Sequence, residues 1–226
     1  MKKYSVLILL FLFACSDNLN ELKEKNKLPN DIRWVTNSSE YKILCQQIYN
    51  NATINLLPLI NKKNIKYAVV MDLDETVLDN SDYQINLVEN NLSFTQENWS
   101  EWVNQANATL VPGAKEFISA LRQYANIQII FLSNRMHVNL EPTINNMKKL
   151  NIVDEKDIFL LRKDKADKKN IRRDEIILGK NRMAEVGPMQ IIGYFGDAAH
   201  DFPKEDKFYK FGTNMFMFPN PMYGKW

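Results

Sequence analysis

Residues 67–80, YAVVMDLDETVLDN, decide the fold of this chain. A mostly apolar run ends at Met71, and an apolar run of this length followed by polar residues indicates a buried strand. Four acids then follow within eight positions: Asp72, Asp74, Glu75 and Asp79. Burying several carboxylates without compensation costs on the order of several kcal/mol per ion. We therefore expect a positive partner at the end of this strand.

Further apolar runs alternate with helical patterns along the rest of the chain. The apolar runs cover residues 127–132, 158–161, 191–195 and 215–218, and the helical patterns cover residues 34–60, 114–124, 139–150 and 168–178. Such alternation predicts an α/β fold with a central parallel sheet covered by helices on both faces. Residues 81–111 interrupt it directly after the first strand. Because open parallel sheets bind ligands at the carboxyl ends of their strands, we expect this segment to form a small cap above the site.

The N-terminus predicts export. Lys2 and Lys3 precede an apolar stretch that ends at Ala14, which is typical of a secretory signal and too short to span a bilayer. Residues 12–15, LFAC, resemble the lipobox of bacterial lipoproteins, so Cys15 is predicted to be lipidated and to hold the protein on a membrane surface. The alternative is an ordinary cleaved signal. We expect residues 15–32 to form a tether and residues 33–226 to form the globular domain.

Charge and cysteine content exclude two classes of protein. The chain of 226 residues has 29 basic and 27 acidic residues, and removal of Lys2 and Lys3 leaves 27 of each. A neutral mature chain argues against binding of polymeric nucleic acid. With Cys15 lipidated, Cys45 is the only remaining thiol, so no intramolecular disulfide is expected and packing must hold the domain.

The acidic stretch itself favours a hard divalent cation such as Mg²⁺, which prefers oxygen ligands. A calcium loop would need glycine at its sixth position, and counting from Asp72 that position is Val77. A solvated acidic turn is the other alternative. It agrees less well with a position at the end of a buried strand.

Residues 72–77, DLDETV, resemble the first motif of the haloacid dehalogenase (HAD) superfamily of aspartate-nucleophile phosphatases. Later strand ends supply the remaining motifs: Ser133, a lysine within residues 162–168, and Asp197 with Asp201. Together with residues 34–49, the extended stretch DLDETVLDNS at 72–81, LSNR at 132–135 and the terminal PNPMYGKW, they resemble the bacterial class C acid phosphatases. The resemblance covers nearly all of the mature chain. It implies a Rossmannoid three-layer fold with a cap, and hydrolysis of nucleoside monophosphates and related esters.

The resemblance also assigns roles to the acids. Asp72 is the expected nucleophile, which forms an aspartyl-phosphate, and Asp74 the expected proton donor and acceptor. Residues two apart in a strand share a face, which would bring this pair together. Mg²⁺ is expected on Asp72, on the backbone carbonyl of Asp74 and on Asp197. Asp201 is expected to orient a water on the ion.

Phosphate and base recognition are assigned in the same way. Ser133 and the backbone N–H of Asn134 are expected to bind the phosphoryl oxygens. The family pattern Lys-Ser-x-Lys places the catalytic lysine last, at Lys168. Because Ala166 stands where the family has serine, Lys165 is the alternative.

Two aromatic positions match those that stack on the nucleobase in the family. Trp99 and Tyr223 are the expected stacking residues. The alternative for Trp99, and for Trp102 beside it, is simple packing of the cap.

The sequence thus predicts an exported, lipid-anchored, Mg²⁺-dependent acid phosphatase or 5′-nucleotidase, placed at the outer membrane. Because relatives form dimers, a homodimer is an open expectation. One alternative is a sugar-phosphate phosphatase or phosphotransferase. Another is a surface lipoprotein that binds haem or a host component and uses the fold as a scaffold. The complete set of motifs argues against a pure scaffold.

Overall fold

A computed structural model describes residues 28–60, 65–205 and 207–224. The predicted signal sequence, the lipidation site Cys15 and most of the predicted tether lie outside the described residues. The end of that tether is helical, because helix α1, Asn30–Asn37, begins before residue 32. Among the helices in the described ranges, none combines the length and the apolar character that crossing a membrane requires.

A five-stranded parallel sheet forms the centre of the fold, in the order β5-β4-β1-β6-β7. Its strands are β1 Tyr67–Met71, β4 Ile127–Phe131, β5 Ile158–Phe159, β6 Gln190–Gly196 and β7 Met215–Met217. The predicted α/β class with a central parallel sheet is confirmed.

Helices cover the sheet, and their bounds follow the predicted patterns closely. They are α2 Ser39–Leu56, α5 Ala114–Leu121, α6 Leu140–Lys149 and α7 Lys169–Leu178. The helical pattern over residues 34–60 is divided between α1 and α2. Ser38 begins α2 because its Oγ accepts a hydrogen bond of 3.0 Å from the backbone N–H of Tyr41.

Both faces of β1 are buried, each against a different layer. Tyr67, Val69 and Met71 face a cluster that includes residues of α2 and α5. Ala68 and Val70 face the opposite cluster, which includes Ile176 of α7. This strict alternation explains why the strand is apolar throughout, and it places α7 on the side of the even-numbered residues.

The segment after β1 carries two short strands and two helices. β2 Leu78–Asp79 pairs antiparallel with β3 Thr109–Leu110, and between them lie α3 Ser81–Glu89 and α4 Gln96–Gln105. A hydrogen bond of 2.7 Å from Asn139 Nδ2 to Ser100 Oγ joins α4 to the body of the protein. The interruption seen in the sequence is thus a mainly helical insertion.

Candidate active site

Three strands end at one edge of the sheet and place the site there. Met71 is in register with Phe131 of β4 and with Phe195 of β6. The backbone N–H of Asp72 donates to the carbonyl of Phe195 at 2.9 Å, which extends the pairing by one residue. The residues that follow these strands therefore lie close together.

Asp72 lies beside a buried ammonium group. Its side-chain Oδ1 is 2.7 Å from Nζ of Lys169, and the same Nζ donates to Asp201 Oδ1 at 2.5 Å. Asp72 is 8% exposed and Lys169 is 4% exposed. Burial alone would lower the pKa of Lys169, but the carboxylates of Asp72 and Asp201 outweigh it and raise that pKa. Lys169 is thus a permanent positive charge next to Asp72.

The prediction that Lys168 occupies this position is wrong, and so is the alternative Lys165. Both side chains are exposed. Lys168 is the extended N-cap residue of α7, whereas Lys169 is the first helical residue and lies on the buried face of α7 with Arg172 and Ile176. Arg172 and Ile176 follow Lys169 by three and seven residues, about one and two helical turns. The three side chains therefore lie on the same face of the helix, and Lys168 lies off it.

Asp72, Asp197 and Asp201 form a cluster of carboxylates. One oxygen from each lies within 4.8 Å of the others. Burial, followed by the charge of Asp201, raises the pKa of Asp197 to about 6. Burial also raises the pKa of Asp72, and although Lys169 lowers it, the charges of the neighbouring acids add to the increase. Two buried carboxylates and a partly buried one, with a single ammonium group among them, fit a hard divalent cation, which would hold them ionised.

The predicted direct ligands did not include Asp201, yet one of its carboxylate oxygens lies as close to Asp72 and Asp197 as ligands of one ion would. Its oxygens are already bonded, Oδ1 to Lys169 and Oδ2 to the backbone N–H of Ala198 at 2.9 Å. Asp197 Oδ2 accepts a hydrogen bond of 2.8 Å from Asn220 Nδ2. Direct ligation by Asp72, Asp197 and the carbonyl of Asp74 stays a prediction.

Asp74 is positioned differently from the prediction. Because β1 ends at Met71, alternation along a strand does not bring Asp74 next to Asp72, and that argument is wrong. Asp74 lies instead in the turn after the strand, where Arg135 Nε donates to its Oδ1 at 2.9 Å. Its Oδ2 is 3.4 Å from the hydroxyl of the buried Ser133.

The loop that carries Ser133 and Asn134 is held from behind by Arg172. One guanidinium nitrogen donates to the carbonyl of Ser133 at 2.6 Å, and another donates to Asn134 Oδ1 at 2.7 Å. Arg172 is fully buried. The sequence analysis missed this residue, whose only signal is its spacing of three from Lys169. It also assigned no role to Asn80, Arg135 or Asn220, although all three belong to stretches that carry the resemblance.

Of the predicted stacking residues, Trp99 lies near the acids. Its ring centroid is 5.7 Å from the guanidinium carbon of Arg135, and its side chain is half-buried. Trp102 packs inside the cap and donates from Nε1 to Asn80 Oδ1 at 2.9 Å. Tyr223 is half-buried three residues after Asn220. Stacking by Trp99 and Tyr223 stays a prediction.

Comparison with known proteins identifies this arrangement. The family model described as HAD superfamily, subfamily IIIB (acid phosphatase), matches residues 18–226. The chain belongs to this family. Two similar structures are of the class C acid phosphatase from Bacillus anthracis, one of them with tungstate bound. Each is 30% identical over 86% of this chain and 84% of the other, with a TM-score of 0.71. The resemblance to class C acid phosphatases is confirmed.

In this acid phosphatase a glycine keeps the cluster compact. Gly196 ends β6, and a Cβ on it would overlap the side chain of Asp201. We expect Gly196→Ala to lower kcat/KM for phosphate esters about 10- to 100-fold, because a displacement of about 1 Å near the reacting groups has effects of this size. Steady-state hydrolysis by the purified variant measures it.

A second glycine on the same strand provides the control. A Cβ on Gly193 would meet the flexible end of the Leu56 side chain in the core. Gly193→Ala should lower the melting temperature but leave kcat/KM within about threefold of wild type. Equal losses of activity in the two variants would show that the effect comes from destabilisation and not from Asp201.

Proposed function

We propose that this acid phosphatase hydrolyses nucleoside 5′-monophosphates through an aspartyl-phosphate on Asp72, with Mg²⁺ as the cofactor. The observation that carries the proposal is the buried pair of Asp72 and Lys169, with Asp74 held close by through Arg135. A carboxylate nucleophile, a fixed positive charge and a second oriented acid are the groups that transfer of a phosphoryl group to aspartate requires.

Each residue has a separate task in the proposed reaction. Lys169 offsets the charge of the phosphate dianion, which would otherwise repel the carboxylate of Asp72. Asp72 attacks phosphorus, and Asp74 gives a proton to the leaving oxygen. Asp74 then takes a proton from the water that hydrolyses the aspartyl-phosphate. Ser133 binds a phosphoryl oxygen through its hydroxyl, together with the backbone N–H of Asn134.

Asp72, Asp197 and the backbone carbonyl of Asp74 would hold Mg²⁺ in this proposal. When bound, the ion supplies positive charge that stabilises the phosphoryl oxygens in the transition state. Asp201 keeps Lys169 in place through the bond between its Oδ1 and Nζ. This bond supports its predicted role outside the direct ligands.

Two observations support a nucleotide as the substrate. The ring of Trp99, in the cap, contacts the Arg135 guanidinium, which in turn binds Asp74. One side chain therefore separates this aromatic ring from the proposed proton donor. Tyr223 follows Asn220, which binds Asp197. A base held between aromatic side chains gains stacking energy with little dependence on its identity. The tungstate in the relative is an oxyanion, and we propose that phosphate occupies the corresponding site here.

The proposed location is the outer membrane of a bacterium, with Cys15 carrying the lipid. Such an anchor would place the domain where it meets extracellular phosphate esters.

Comparison of adenosine 5′-monophosphate with ribose 5-phosphate tests the proposal. The two esters differ by the base alone. Because stacking of a base on an aromatic ring is worth about 1–3 kcal/mol, we expect kcat/KM to be about 10-fold or more higher for the nucleotide. A chelator should abolish hydrolysis of both esters, and Mg²⁺ should restore it.

Variants of the cap separate the outcomes of this experiment. Trp99→Ala should lower kcat/KM for the nucleotide to near that for ribose 5-phosphate, whereas Phe94→Ala, which removes an aromatic ring that is 61% exposed, should change neither. Equal rates for both esters in the wild-type protein would favour the sugar-phosphate phosphatase. Hydrolysis that persists after chelation would contradict the role of Mg²⁺.

A further inference from the structure

The two oxygens of the Asp74 carboxylate have unequal surroundings. Oδ1 accepts hydrogen bonds from two N–H donors, Arg135 Nε at 2.9 Å and Asn80 Nδ2 at 3.1 Å, and Arg135 Nη2 lies 2.8 Å from it as an ion-pair partner. Oδ2 accepts a longer hydrogen bond, of 3.4 Å, from the Ser133 hydroxyl. An oxygen whose two lone pairs already accept two N–H groups has no lone pair left for a proton.

We propose that Arg135 and Asn80 are positioning residues that confine the transferable proton of Asp74 to Oδ2. This inference rests on the proposed function, because it requires Asp74 to be the proton donor. The two residues fix the orientation of the carboxylate, so that Oδ2 faces Ser133, beside which the substrate phosphate would bind. Without them, either oxygen could carry the proton, and the group could rotate away from the leaving oxygen.

Arg135 is well held for this task. Its side chain is 1% exposed, and Nη1 donates to Thr143 Oγ1 at 3.1 Å. Nε of the rigid guanidinium fork therefore donates to one carboxylate oxygen, Nη2 lies against the same oxygen, and Nη1 is tied to α6. A lysine at this position would offer a single point donor and could not reproduce the arrangement.

Asn80 joins the proposed proton donor to the cap. Its side-chain Oδ1 accepts from Trp102 Nε1 at 2.9 Å and from Arg135 Nη2 at 3.3 Å, and its backbone N–H donates to Glu75 Oε1 at 2.9 Å. Glu75 thus has a task as well, because it fixes the backbone of Asn80. The cap helix α4 reaches Asp74 through Asn80 and through the ring of Trp99 above Arg135.

The inference has a chemical signature in the choice of leaving group. During attack, the bond from Asp72 to phosphorus forms, the ester P–O bond breaks, and the proton on Asp74 Oδ2 moves to the departing oxygen. An alkoxide departs poorly without that proton, whereas p-nitrophenolate is stable and departs without it. The ratio kcat/KM reports the steps up to this departure, and loss of a correctly placed proton should lower it for alkyl esters alone.

The test measures kcat/KM of Arg135→Lys for glycerol 2-phosphate and for p-nitrophenyl phosphate. We expect a loss of about 100-fold for the alkyl ester and of less than about 5-fold for the aryl ester, in line with the usual contribution of general acid catalysis. Arg122→Lys is the matched control. Its guanidinium binds both oxygens of Asp157 at 3.1 and 2.7 Å at the opposite edge of the sheet, and this variant should change neither value.

Trp102→Phe keeps the test decisive if Arg135→Lys does not fold. It deletes one N–H donor to Asn80 and keeps an aromatic ring, and we expect a loss of about 3- to 10-fold for the alkyl ester alone. Equal losses for both esters, or no loss in a folded variant, would overturn the inference. Asp74→Asn shows which of the two ideas has failed. If Asp74→Asn loses equal activity towards the alkyl and the aryl ester, Asp74 is not the proton donor. If Asp74→Asn loses more activity towards the alkyl ester but Arg135→Lys and Trp102→Phe do not, the positioning role of Arg135 and Asn80 is wrong.

Discussion

Asp72→Asn should lower kcat/KM for every phosphate ester by about 10⁴-fold or more, because an amide cannot form the acyl-phosphate bond and the remaining groups cannot replace a nucleophile. The fold should survive. Asp72 is a buried carboxylate among other acids, and burial raises its pKa. Removing its charge therefore relieves repulsion, while Lys169 keeps its bond to Asp201. We expect a melting temperature no lower than that of the wild type.

Two measurements check this expectation against a structural effect. Acid-quenched turnover should yield wild-type protein that is heavier by one phosphoryl group, and Asp72→Asn should lack this species. Asp79→Asn is the matched control, since Asp79 is an acid of the same segment and its Oδ1 accepts from the N–H of Ser81, as an amide oxygen also can. Activity near that of wild type in Asp72→Asn would exclude Asp72 as the nucleophile.

The residues that follow strands could be placed from sequence alone. Asp72, Ser133 and Asp197 each follow an apolar run, and parallel strands must end at a common edge. Their proximity therefore follows from the chain direction of three strands, without knowledge of side-chain contacts. The sequence also indicates where the chain departs from the alternation of strands and helices, and two helices, α3 and α4, lie there after β1.

The groups that hold the acids could not be placed in this way. Arg135 and Arg172 are buried charges, and a sequence pattern ordinarily assigns arginine to the surface. Their partners are carboxylates, a hydroxyl, backbone carbonyls and side-chain amide oxygens from several segments, so their contacts exist only once the chain has folded. Asp74 shows the same limit, because the turn after β1 replaces the extended geometry that the prediction assumed.

The lysine was within reach of sequence reasoning, but the motif spacing led one residue away from it. Ala68 and Val70 face the cluster that contains Ile176 of α7, and Asp72 continues their alternation. Lys169 precedes Ile176 by seven residues, which is close to two helical turns, so both lie on the face that meets these residues. The buried face of α7 would therefore have identified Lys169 as the lysine beside Asp72, whereas Lys168 is the N-cap residue of the helix.

Lys169→Met should lower kcat/KM about 10³-fold, whereas Lys168→Met should leave it within about twofold of wild type. Methionine keeps most of the length of the side chain but removes the ammonium that is 2.7 Å from Asp72 and bonded to Asp201. Loss of one preorganised charge that stabilises the transition state has effects of this size. Hydrolysis of p-nitrophenyl phosphate, whose leaving group needs no proton, isolates this contribution.

Adjacent lysines make this comparison sharp, since both variants lose one unit of charge and the same polar group. Inhibition by inorganic phosphate gives a second readout, because an anion that lies against the Lys169 ammonium should bind at least about 10-fold more weakly to Lys169→Met and equally well to Lys168→Met. Lys169→Arg keeps the charge but not the compact shape, so it should recover phosphate binding more than turnover. A larger loss in Lys168→Met than in Lys169→Met would contradict this prediction. It would mean that the motif spacing, and not the buried face of α7, identifies the catalytic lysine.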